Sequence, residues 1–371
     1  MLKVMTLVGT RPELIKMSRV ISALDIHFDH VLVHSGQNFD YELNQVFFDE
    51  LEIRKPDYFL DVASDTVAKT IAEVITKSDE VFEKEKPDAL LLYGDTNTCL
   101  AVISAKRRKI PVFHMEAGNR CFDERVPEEL NRKVVDHLSD INLVLSEHAR
   151  RYLILEGVRP ETIIKTGSHM KEVLEYFKDK IESSEILKKM NLKEKEYFLL
   201  SAHREENVDS SENLESLLES IEALYEQYNK PIIISTHPRT KKRLEALPKR
   251  NWNPQIQFLK PFGFLDYIHL QKKSLCVISD SGTITEESSL LKFSAVTIRN
   301  THERPEGMDE GTLIMTGLNK FKILDSIKIA INPTRIFHTV PDYDINNVSH
   351  KIIQVIQSYT DYINRTVWKK N

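Results

Sequence analysis

The sequence predicts an α/β protein built from two doubly wound parallel sheets. Short apolar runs alternate with amphipathic stretches along the chain, and this alternation starts a second time after the charged segment 173–196. Strands that alternate with helices in this way form parallel sheets from βαβ units. The length of 371 residues suits two or more domains of about 150 residues each. We therefore expect two doubly wound domains that face a central cleft.

The first series of predicted strands consists of VMTLV (4–8), HVLVH (30–34), ALLLY (89–93), VFH (112–114), INLVL (141–145) and IIKT (163–166). Between these runs lie stretches such as 66–85, whose apolar residues are spaced three and four apart, as is typical of a helix. The second series consists of YFLLS (197–201), PIIIST (231–236), IQFL (256–259), LCVIS (275–279) and AVTI (295–298). An amphipathic segment, 348–363, follows the second series and could pack on either domain.

Composition excludes several functions. The formal net charge is −5, with Lys and Arg scattered, so we expect neither a nucleic-acid partner nor a membrane surface. None of the apolar runs reaches about 18 residues, the length of a membrane helix, and we interpret the N-terminal run as a first strand. Cys99, Cys121 and Cys276 are far apart and lack metal-site spacing, which indicates reduced thiols and a cytoplasmic location.

Polar residues follow the predicted strands where ligands bind in doubly wound folds, beyond the carboxyl ends of the strands. These strand-end segments carry Arg, His, Asp, Glu or Ser: GTRPE, GDTNT, MEAGNR, AHREEN, THPRT, DSGTITEES and RNTHERPE. One such turn would mean little, but seven indicate that one cleft is lined with chemically active groups.

Ser281 and Gly282 are candidate ligands of an anion. They lie between a predicted strand and a predicted helix, so the backbone can approach a ligand and the helix amides can point at it. Glu286 or Glu287, further into that helix, could bind both hydroxyls of a ribose. An ordinary helix cap with a solvated glutamate is the alternative. Neither GxxxxGK[ST] nor GxGxxG occurs, so the pattern favours a nucleotide that is substrate or leaving group over ATP or NAD.

Cations at strand ends point to a diphosphate. Arg11 sits at a predicted helix start, the wrong end for a positive charge unless an anion binds there, and Lys16 follows five residues later. A salt bridge from Arg11 to Glu13 is the structural alternative. The further cations that could bind a diphosphate through bidentate or charged hydrogen bonds are His203, Arg204, Arg299 and Arg304.

Acids follow the strands of the first domain. Asp95, Glu116 and Glu128 are candidates for proton transfer next to the phosphate-binding cations. Helix capping is the alternative for Asp95 and Glu128, and it explains Glu116 less well because this residue lies beside Gly118 in a tight connection. No HxH, HExxH or close acidic cluster occurs, so we expect no metal.

The ordered motifs GTRPE-x-IK, GDTNT, EAG-x-R, PEE-x-NR, HR-x-EN, DSG-x-x-x-EE and ERPE resemble the non-hydrolysing UDP-N-acetylglucosamine 2-epimerase family over residues 2 to about 320. The resemblance implies a GT-B-like fold. It implies an N-terminal Rossmann-like domain, residues 1–170, that carries the acid/base residues and is completed by the helical segment 348–371, and a UDP-binding C-terminal Rossmann-like domain, residues 171–347. It also implies epimerisation at C2 of a UDP-linked 2-acetamido sugar without nicotinamide or metal, and a homodimer.

The resemblance also implies a role for each candidate residue. The catalytic set is Asp95, Glu116, Glu128 and His203; the UDP-binding set is Arg11, Lys16, Arg204, Ser281, Gly282 and Glu287; possible further members are Arg132, His237 and Arg304. In the implied reaction, UDP leaves C1, the resulting positive charge acidifies the C2 hydrogen, and a base removes that hydrogen to form a 2-acetamidoglycal. Asp95 and Glu116 are the expected opposed pair, and Glu128 assists.

The chain departs from the usual family pattern at several motifs. The usual EAGLRT is EAGNRC, and the connection to PEE is FDERV; AHREEN and THPRT replace HRREN and HxNP, and GMDEGTLIMTG follows ERPE. These features resemble the branch that converts UDP-2-acetamido-2,6-dideoxy-L-talose to UDP-N-acetyl-L-fucosamine for capsule or O-antigen. The segment Gly36-Gln37-Asn38-Phe39 replaces the usual Gly-Gln-His-Arg of a second, activating UDP-sugar site.

Other functions remain open from the sequence alone. UDP-N-acetylglucosamine/UDP-N-acetylmannosamine epimerisation is the alternative substrate assignment. A GT-B glycosyltransferase shares the cleft and UDP but needs an acceptor site, and a hydrolysing epimerase would release free sugar. A non-catalytic UDP-sugar-binding module would use the acids only as helix caps. Segments 119–126 and 307–317 are the expected determinants of sugar selectivity.

Overall fold

A computed structural model describes residues 1–36, 48–62, 64–247 and 250–370. The chain divides into two compact units. The first comprises Met1–Glu175 with Asp342–Asn371, and the second comprises Tyr176–Pro341. The sequence had placed these boundaries at 170/171 and 347/348.

The first unit contains a seven-stranded sheet whose described pairings are all parallel, in the order β3-β2-β1-β4-β5-β6-β7. The strands are β1 Lys3–Val8, β2 Asp29–His34, β3 Tyr58–Phe59, β4 Ala89–Tyr93, β5 Val112–Ala117, β6 Ile141–Val144 and β7 Ile163–Lys165. The chain first builds outward from β1 and then returns to place β4 on its other side. The resulting switch point between β1 and β4 is where doubly wound folds bind ligands.

Helices cover the first sheet. Those described are α1 Arg11–His27, α2 Val67–Glu85, α3 Val102–Arg107, α4 Pro127–Leu138, α5 Glu147–Leu155, α6 Met170–Tyr176 and the C-terminal helix α16 Val348–Thr366, with 3₁₀ helices at Asn97–Ala101 and Pro160–Thr162. The hydroxyl of Thr66 accepts the Lys69 amide and caps α2, as its position before an amphipathic run predicts. The helix α16 belongs to the first unit and packs against α1.

The second unit contains a six-stranded parallel sheet in the order β10-β9-β8-β11-β12-β13. The strands are β8 Phe198–Ser201, β9 Ile232–Ser235, β10 Ile256–Leu259, β11 Cys276–Ser279, β12 Ala295–Thr297 and β13 Ile314–Met315. This order repeats the logic of the first sheet, with its switch point between β8 and β11.

The helices of the second unit complete the doubly wound pattern. They are α7 Lys178–Glu182, α8 Ile186–Lys189, α9 Glu205–Val208, α10 Ser211–Tyr228, α11 Pro238–Glu245, α12 Phe264–Lys273, α13 Ile284–Leu291, α14 Pro305–Asp309 and α15 Lys320–Ala330. None of the helices in the described ranges is long and apolar enough to cross a membrane.

Each sheet is buried on both faces, which is why its strands appear in the sequence as continuous apolar runs. Leu90, Leu91 and Leu92 of β4 are all fully buried, as are Ile232 and Ile233 of β9. Parallel strands covered by helices on both sides need this composition instead of an alternating one. The sheets are therefore rigid supports whose carboxyl ends carry the polar segments.

The predicted fold class of two parallel-sheet α/β domains is confirmed, and each predicted strand is present. Two edge strands, Tyr58–Phe59 and Ile314–Met315, were not predicted, because two residues carry no periodicity. The strand β5 also continues past the predicted end at His114, so Glu116 lies within the strand instead of after it.

Candidate active site

Glu13 connects the two strand ends at the switch point of the first unit. Its carboxylate accepts the Gly9 amide at 2.6 Å, just after β1, and the Thr96 hydroxyl at 2.7 Å, just after β4. The side chain is buried, and burial raises the pKa of Glu13 to about 7, although both hydrogen bonds act in the opposite direction. A side chain at Gly9 would overlap the hydroxyls of Ser35 and Thr98, so this strand end needs a glycine.

Lys16 is directed at Glu116. The Lys16 Nζ lies 2.7 Å from the Glu116 Oε2, and both side chains are about nine-tenths buried, at 7% and 10% exposure. The same ammonium lies 5.4 Å from the centre of the Tyr93 ring. Arg11 is the first residue of α1 and is half-buried. Lys16 and Arg11 were both predicted to bind UDP. Lys16 also holds Glu116, a candidate catalytic acid.

Glu116 occupies a β-bulge. The pairing of β5 with β6 shifts register between Met115 and Ala117, and Glu116 has a φ of +62°. Left-handed backbone costs a non-glycine residue on the order of 1 kcal/mol or more, and such residues cluster at functional sites. A bulge also redirects a side chain out of the ordinary alternation of the strand. This distortion accounts for an acid in a buried strand being available to Lys16.

Tyr93 and His169 complete the surroundings of Glu116, and the sequence reasoning did not identify either of them. The Tyr93 hydroxyl hydrogen-bonds to the Glu116 carboxylate and lies 3.3 Å from the His169 Nε2. Tyr93 is the last residue of β4, and His169 follows β7, so both occupy strand-end positions. The strand-end position was the available signal for both residues. Tyr93 was missed because it is the last residue of the apolar run ALLLY and was assigned to the strand.

Asp95 is held by Arg132. The Asp95 Oδ2 lies 2.7 Å from both the Nε and the Nη2 of this buried guanidinium, and Asp95 remains 23% exposed. Thr96 precedes the 3₁₀ helix Asn97–Ala101 in the N-cap position, so Asp95 is not the cap of that helix. A partly exposed carboxylate with one fixed buried cation can act on a ligand at the strand end.

The neighbouring acids Glu128 and Glu129 have different environments. Glu129 is fully buried; its carboxylate accepts the amides of Cys121 and Phe122, each at 3.1 Å, and pairs with Arg132 at 2.8 Å. Glu129 therefore holds the loop that precedes α4. Glu128 lies in the first turn of α4 and is half-buried, so it is the acid of the pair that can still meet a ligand.

Asp280 connects the strand ends of the second unit. It follows β11, and its buried carboxylate accepts the amides of His203 and Arg204 and the Asn207 side chain at 3.0–3.2 Å. The His203 Nδ1 lies 3.0 Å away. Burial alone would raise the pKa of Asp280, but the His203 ring and these donors hold it well below its ordinary value. The residues His203 and Arg204 are thus fixed beside the Ser281–Gly282 turn.

Glu303 lies where the turn at Gly282 was predicted to receive an anion. A Cβ on Gly282 would be 2.7 Å from the Glu303 Oε1, so the glycine lets a carboxylate approach the backbone. The Arg299 Nη2 lies 2.7 Å from Glu303, and the Arg204 Nη2 lies 3.5 Å from it. This arrangement of guanidinium groups around a carboxylate is chemically suited to a phosphate oxygen as well.

The remaining candidates of the second unit have separate partners. Arg304 forms a buried ion pair with Glu286 at 3.0 Å. Glu287 is nearly buried and accepts the Gln271 amide at 2.7 Å. His237 is exposed after β9, and its ring centre lies 6.1 Å from that of His203.

The predicted residues are divided between the two units. In the first unit these are Arg11, Lys16, Asp95, Glu116, Glu128 and Arg132, and in the second they are His203, Arg204, His237, Ser281, Gly282, Glu287 and Arg304. In the described part of the chain, no group of three or more His, Cys, Asp or Glu side chains could hold a metal ion.

Comparisons with known proteins agree with this architecture. The family model for UDP-N-acetylglucosamine 2-epimerase matches residues 22–357. The chain is similar to the UDP-N-acetylglucosamine 2-epimerase structure from Rickettsia bellii, with a TM-score of 0.94 and 59% identity over 100% of both chains.

A crystal structure of the Methanocaldococcus jannaschii UDP-GlcNAc 2-epimerase in complex with UDP-GlcNAc and UDP has a TM-score of 0.90 and 34% identity, covering 96% of this chain and 99% of its own. A Pseudomonas aeruginosa relative, UDP-2,3-diacetamido-2,3-dideoxy-D-glucuronate 2-epimerase, is 32% identical over 340 residues, covering 90% of this chain and 93% of its own.

The two parallel-sheet units and these neighbours define a GT-B-like enzyme that acts on sugar nucleotides. The chain belongs to the UDP-N-acetylglucosamine 2-epimerase family. It is a UDP-sugar 2-epimerase, a non-hydrolysing isomerase.

Proposed function

We propose that this enzyme inverts C2 of a UDP-linked 2-acetamido-6-deoxy sugar, converting UDP-2-acetamido-2,6-dideoxy-L-talose to UDP-N-acetyl-L-fucosamine, a precursor for capsule or O-antigen. The C1–O bond to UDP breaks with its electron pair moving to the β-phosphate. A carboxylate then removes the C2 hydrogen, which leaves a 2-acetamidoglycal. Re-addition of UDP at C1 and of a proton on the other face of C2 completes the inversion.

The observation that carries the proton-transfer step is a pair of carboxylates at the ends of neighbouring strands. Asp95 follows β4 and is held by Arg132, and Glu116 lies in β5 and is held by Lys16. Each acid thus has a buried cation within hydrogen-bond distance. Two carboxylates on adjacent strand ends can serve the two faces of one carbon, as inversion requires, with Glu128 assisting.

We assign the diphosphate to the second unit. The Arg204 guanidinium, the Ser281 hydroxyl and the amides at Gly282 offer donors to the charge that grows as UDP leaves. His203 is held beside them by Asp280. Glu287 is the proposed ligand of the ribose hydroxyls. Arg11 and Lys16, which the family resemblance also implies as UDP ligands, are kept as proposed ligands, and Lys16 is paired with Glu116.

We propose that selectivity for a 6-deoxy sugar depends on the segment 119–126, which departs from the usual family pattern. In this segment Cys121 stands where the family usually has Thr. Its buried thiol lies 3.3 Å from the Glu129 Oε2 and 3.6 Å from the Arg132 that holds Asp95, so the departure lies beside a proposed catalytic acid. UDP-N-acetylglucosamine is the second candidate substrate, because the Rickettsia bellii and Methanocaldococcus jannaschii relatives carry that name.

The test is to incubate the purified enzyme in D₂O with each of the two UDP-sugars and follow C2 by NMR. We expect deuterium at C2 with the UDP linkage retained, and a kcat/KM for the 6-deoxy-L-talose substrate about 10–200-fold higher, the discrimination that apolar contacts usually provide. Equal or faster turnover of UDP-N-acetylglucosamine would establish the second candidate. Sugar transfer, free sugar or binding alone would contradict epimerisation.

Variants separate chemistry from binding. Asp95→Asn and Glu116→Gln should each lower C2 exchange by about 10²–10⁴-fold, the usual worth of a general acid or base, while UDP affinity stays within about two-fold. Asp79→Asn is the matched control, because Asp79 lies in the same unit and pairs with Arg108 on its surface. Equal loss of exchange and of UDP affinity would assign the two acids a structural role.

A further inference from the structure

Asp136 forms a buried hydrogen-bonding centre behind the candidate acids. It lies in α4 and is 1% exposed. One carboxylate oxygen, Oδ1, lies 2.8 Å from the His114 Nδ1. The other, Oδ2, accepts the Gly118 amide at 3.1 Å and the Arg120 Nη1 at 2.7 Å. A single side chain from a helix thus binds three points of the strand β5 and the loop after it.

His114 extends this centre to the neighbouring strand. Its Nε2 lies 2.7 Å from the Gly94 carbonyl oxygen, and its Nδ1 faces the Asp136 carboxylate. His114 thus lies between two hydrogen-bond acceptors, the Asp136 carboxylate and the Gly94 carbonyl oxygen. It holds the backbone one residue before Asp95.

The buried carboxylate of Asp136 and the buried guanidinium of Arg120 are paired with each other and with further polar groups. Arg120, 1% exposed, also donates through Nε and Nη2 to the two oxygens of Glu156, at 2.8 and 2.7 Å. The paired groups form a row in the order His114, Asp136, Arg120 and Glu156, and the half-exposed His137 lies 3.1 Å from Glu156 at its outer end. Burial raises the pKa of Asp136, but the His114 and Arg120 hydrogen bonds outweigh it and hold that pKa below its ordinary value.

We propose that Asp136 is a positioning residue for the epimerisation: through His114 it fixes the Gly94–Asp95 turn, and through the Gly118 amide it fixes the turn after Glu116. It touches neither proposed acid. Gly118 has a φ of +78°, so the turn after Glu116 adopts left-handed backbone that the Asp136 contact holds in place. The expected effect on kcat rests on the proposed function. The expected effect on the backbone of the two turns rests on the hydrogen bonds alone.

Asp140 provides the matched comparison at the opposite end of the same strand. Its carboxylate accepts the Val112 amide at 2.9 Å and lies 2.5 Å from the Lys106 Nζ. Asp136 and Asp140 thus each hold a backbone amide of the β5 region and pair with a cation. Only Asp136 lies at the end where the candidate acids are found. A purely structural contribution should be similar for the two residues.

The experiment compares Asp136→Ala with Asp140→Ala in the full chain. We expect both to lower the melting temperature, and only Asp136→Ala to lower kcat for C2 exchange, by about 100-fold, since displacements of about 1 Å at reacting groups cost that much. KM and UDP affinity should change by less than about three-fold. Equal kcat losses in the two variants, measured per folded molecule, would overturn the proposal.

A second variant covers the case in which Asp136→Ala does not fold. His114→Phe keeps the ring volume and leaves the Asp136 contacts with Arg120 and Gly118 in place. Amide hydrogen exchange should then accelerate at residues 94–96 and remain unchanged at 116–118. Exchange unchanged in both segments would refute the positioning role. If the wild type exchanged C2 on no UDP-2-acetamido sugar, the proposed function would fail, and amide exchange would still decide the role of Asp136.

Discussion

Glu13 and Asp280 perform the same structural task in the two units and have opposite electrostatics. Each is a buried carboxylate that joins two strand ends at a switch point. Glu13 joins the ends of β1 and β4, and Asp280 joins the ends of β11 and β8. Yet the pKa of Glu13 is raised to about 7, whereas that of Asp280 lies well below its ordinary value.

The partners explain the difference. The donors to Glu13 are neutral, namely the Gly9 amide and the hydroxyls of Thr96 and Thr10, and these do not offset the loss of hydration. Asp280 has three N–H donors and the adjacent His203 ring, which stabilise the charge more than burial costs. Burial therefore does not decide the charge of a carboxylate. The number and charge of its donors do, so Asp280 is a fixed anion and Glu13 titrates near neutral pH.

Asp280→Ala should have the largest effect on stability and on UDP binding. It leaves two backbone amides and the Asn207 side chain without their acceptor, and each buried unsatisfied donor costs about 1–3 kcal/mol. We expect the free energy of unfolding to fall by about 4 kcal/mol in urea denaturation. We also expect UDP affinity to fall at least about ten-fold in calorimetry, since His203 and Arg204 are released.

Asp266→Ala is the control for Asp280→Ala, because Asp266 is half-buried in the same unit and accepts one hydrogen bond, from Ser184 at 2.5 Å. Its loss should cost about 1 kcal/mol and leave UDP affinity unchanged. If both variants bound UDP like the wild type, Asp280 would have no part in arranging the second set of candidate residues.

Glu13→Gln should reveal the raised pKa. The unfolded glutamate loses its proton near pH 4.5, and the folded one keeps it to about pH 7, so the folded state binds more protons in this window. Stability therefore falls as pH rises from 4.5 to 7, by about 3 kcal/mol, and then levels off. A glutamine at this position does not titrate and has no such loss. The variant should match the wild type near pH 4.5 and exceed its stability by up to about 3 kcal/mol at pH 8.

Urea midpoints from pH 5 to pH 8 measure this effect, with Glu212→Gln as the exposed control. Parallel curves for the wild type and Glu13→Gln would show that Glu13 is ionised throughout. Asp280 contributes in the opposite direction: its depressed pKa stabilises the fold above about pH 4, and that contribution is lost as pH falls further. The two carboxylates thus dominate different ends of the pH profile.

The sequence predicted the strand-end positions of the candidate residues better than it predicted their contacts. Strand-end segments follow from apolar runs and the rule for parallel sheets, so Asp95, His203 and Ser281 could be placed without coordinates. The bulge at Glu116 could not be predicted, because a one-residue shift in pairing depends on the neighbouring strand and leaves no local pattern. The contact of Lys16 with Glu116 could not be predicted either, since the two residues are a hundred positions apart in sequence.

For other residues, the position in the sequence did not predict the contacts or the burial of the side chain. From the sequence, Glu13 was considered only as a salt-bridge partner of Arg11, and the hydrogen bonds that it accepts from Gly9 and Thr96 across the switch point were not predicted. Glu128 and Glu129 are adjacent in the sequence, and only the fold shows that Glu129 is buried and Glu128 is half-buried. The departure at residues 37–39, which bears on a second UDP-sugar site, lies outside the described residues.

Thr96→Val gives the smallest and most specific test. It removes the Thr96 hydroxyl, one of the neutral donors to Glu13, at nearly constant volume. A hydrogen bond to a charged acceptor is worth about 1.5–3 kcal/mol and one to a neutral acceptor about 1 kcal/mol. The cost in unfolding free energy should therefore be larger at pH 8, where Glu13 is ionised, than at pH 5, where it is protonated. Thr98→Val is the matched control, because the Thr98 hydroxyl bonds to Ser35 at 2.8 Å. Its cost should be the same at both pH values, and an equally flat cost for Thr96→Val would mean that Glu13 does not change its charge in this range.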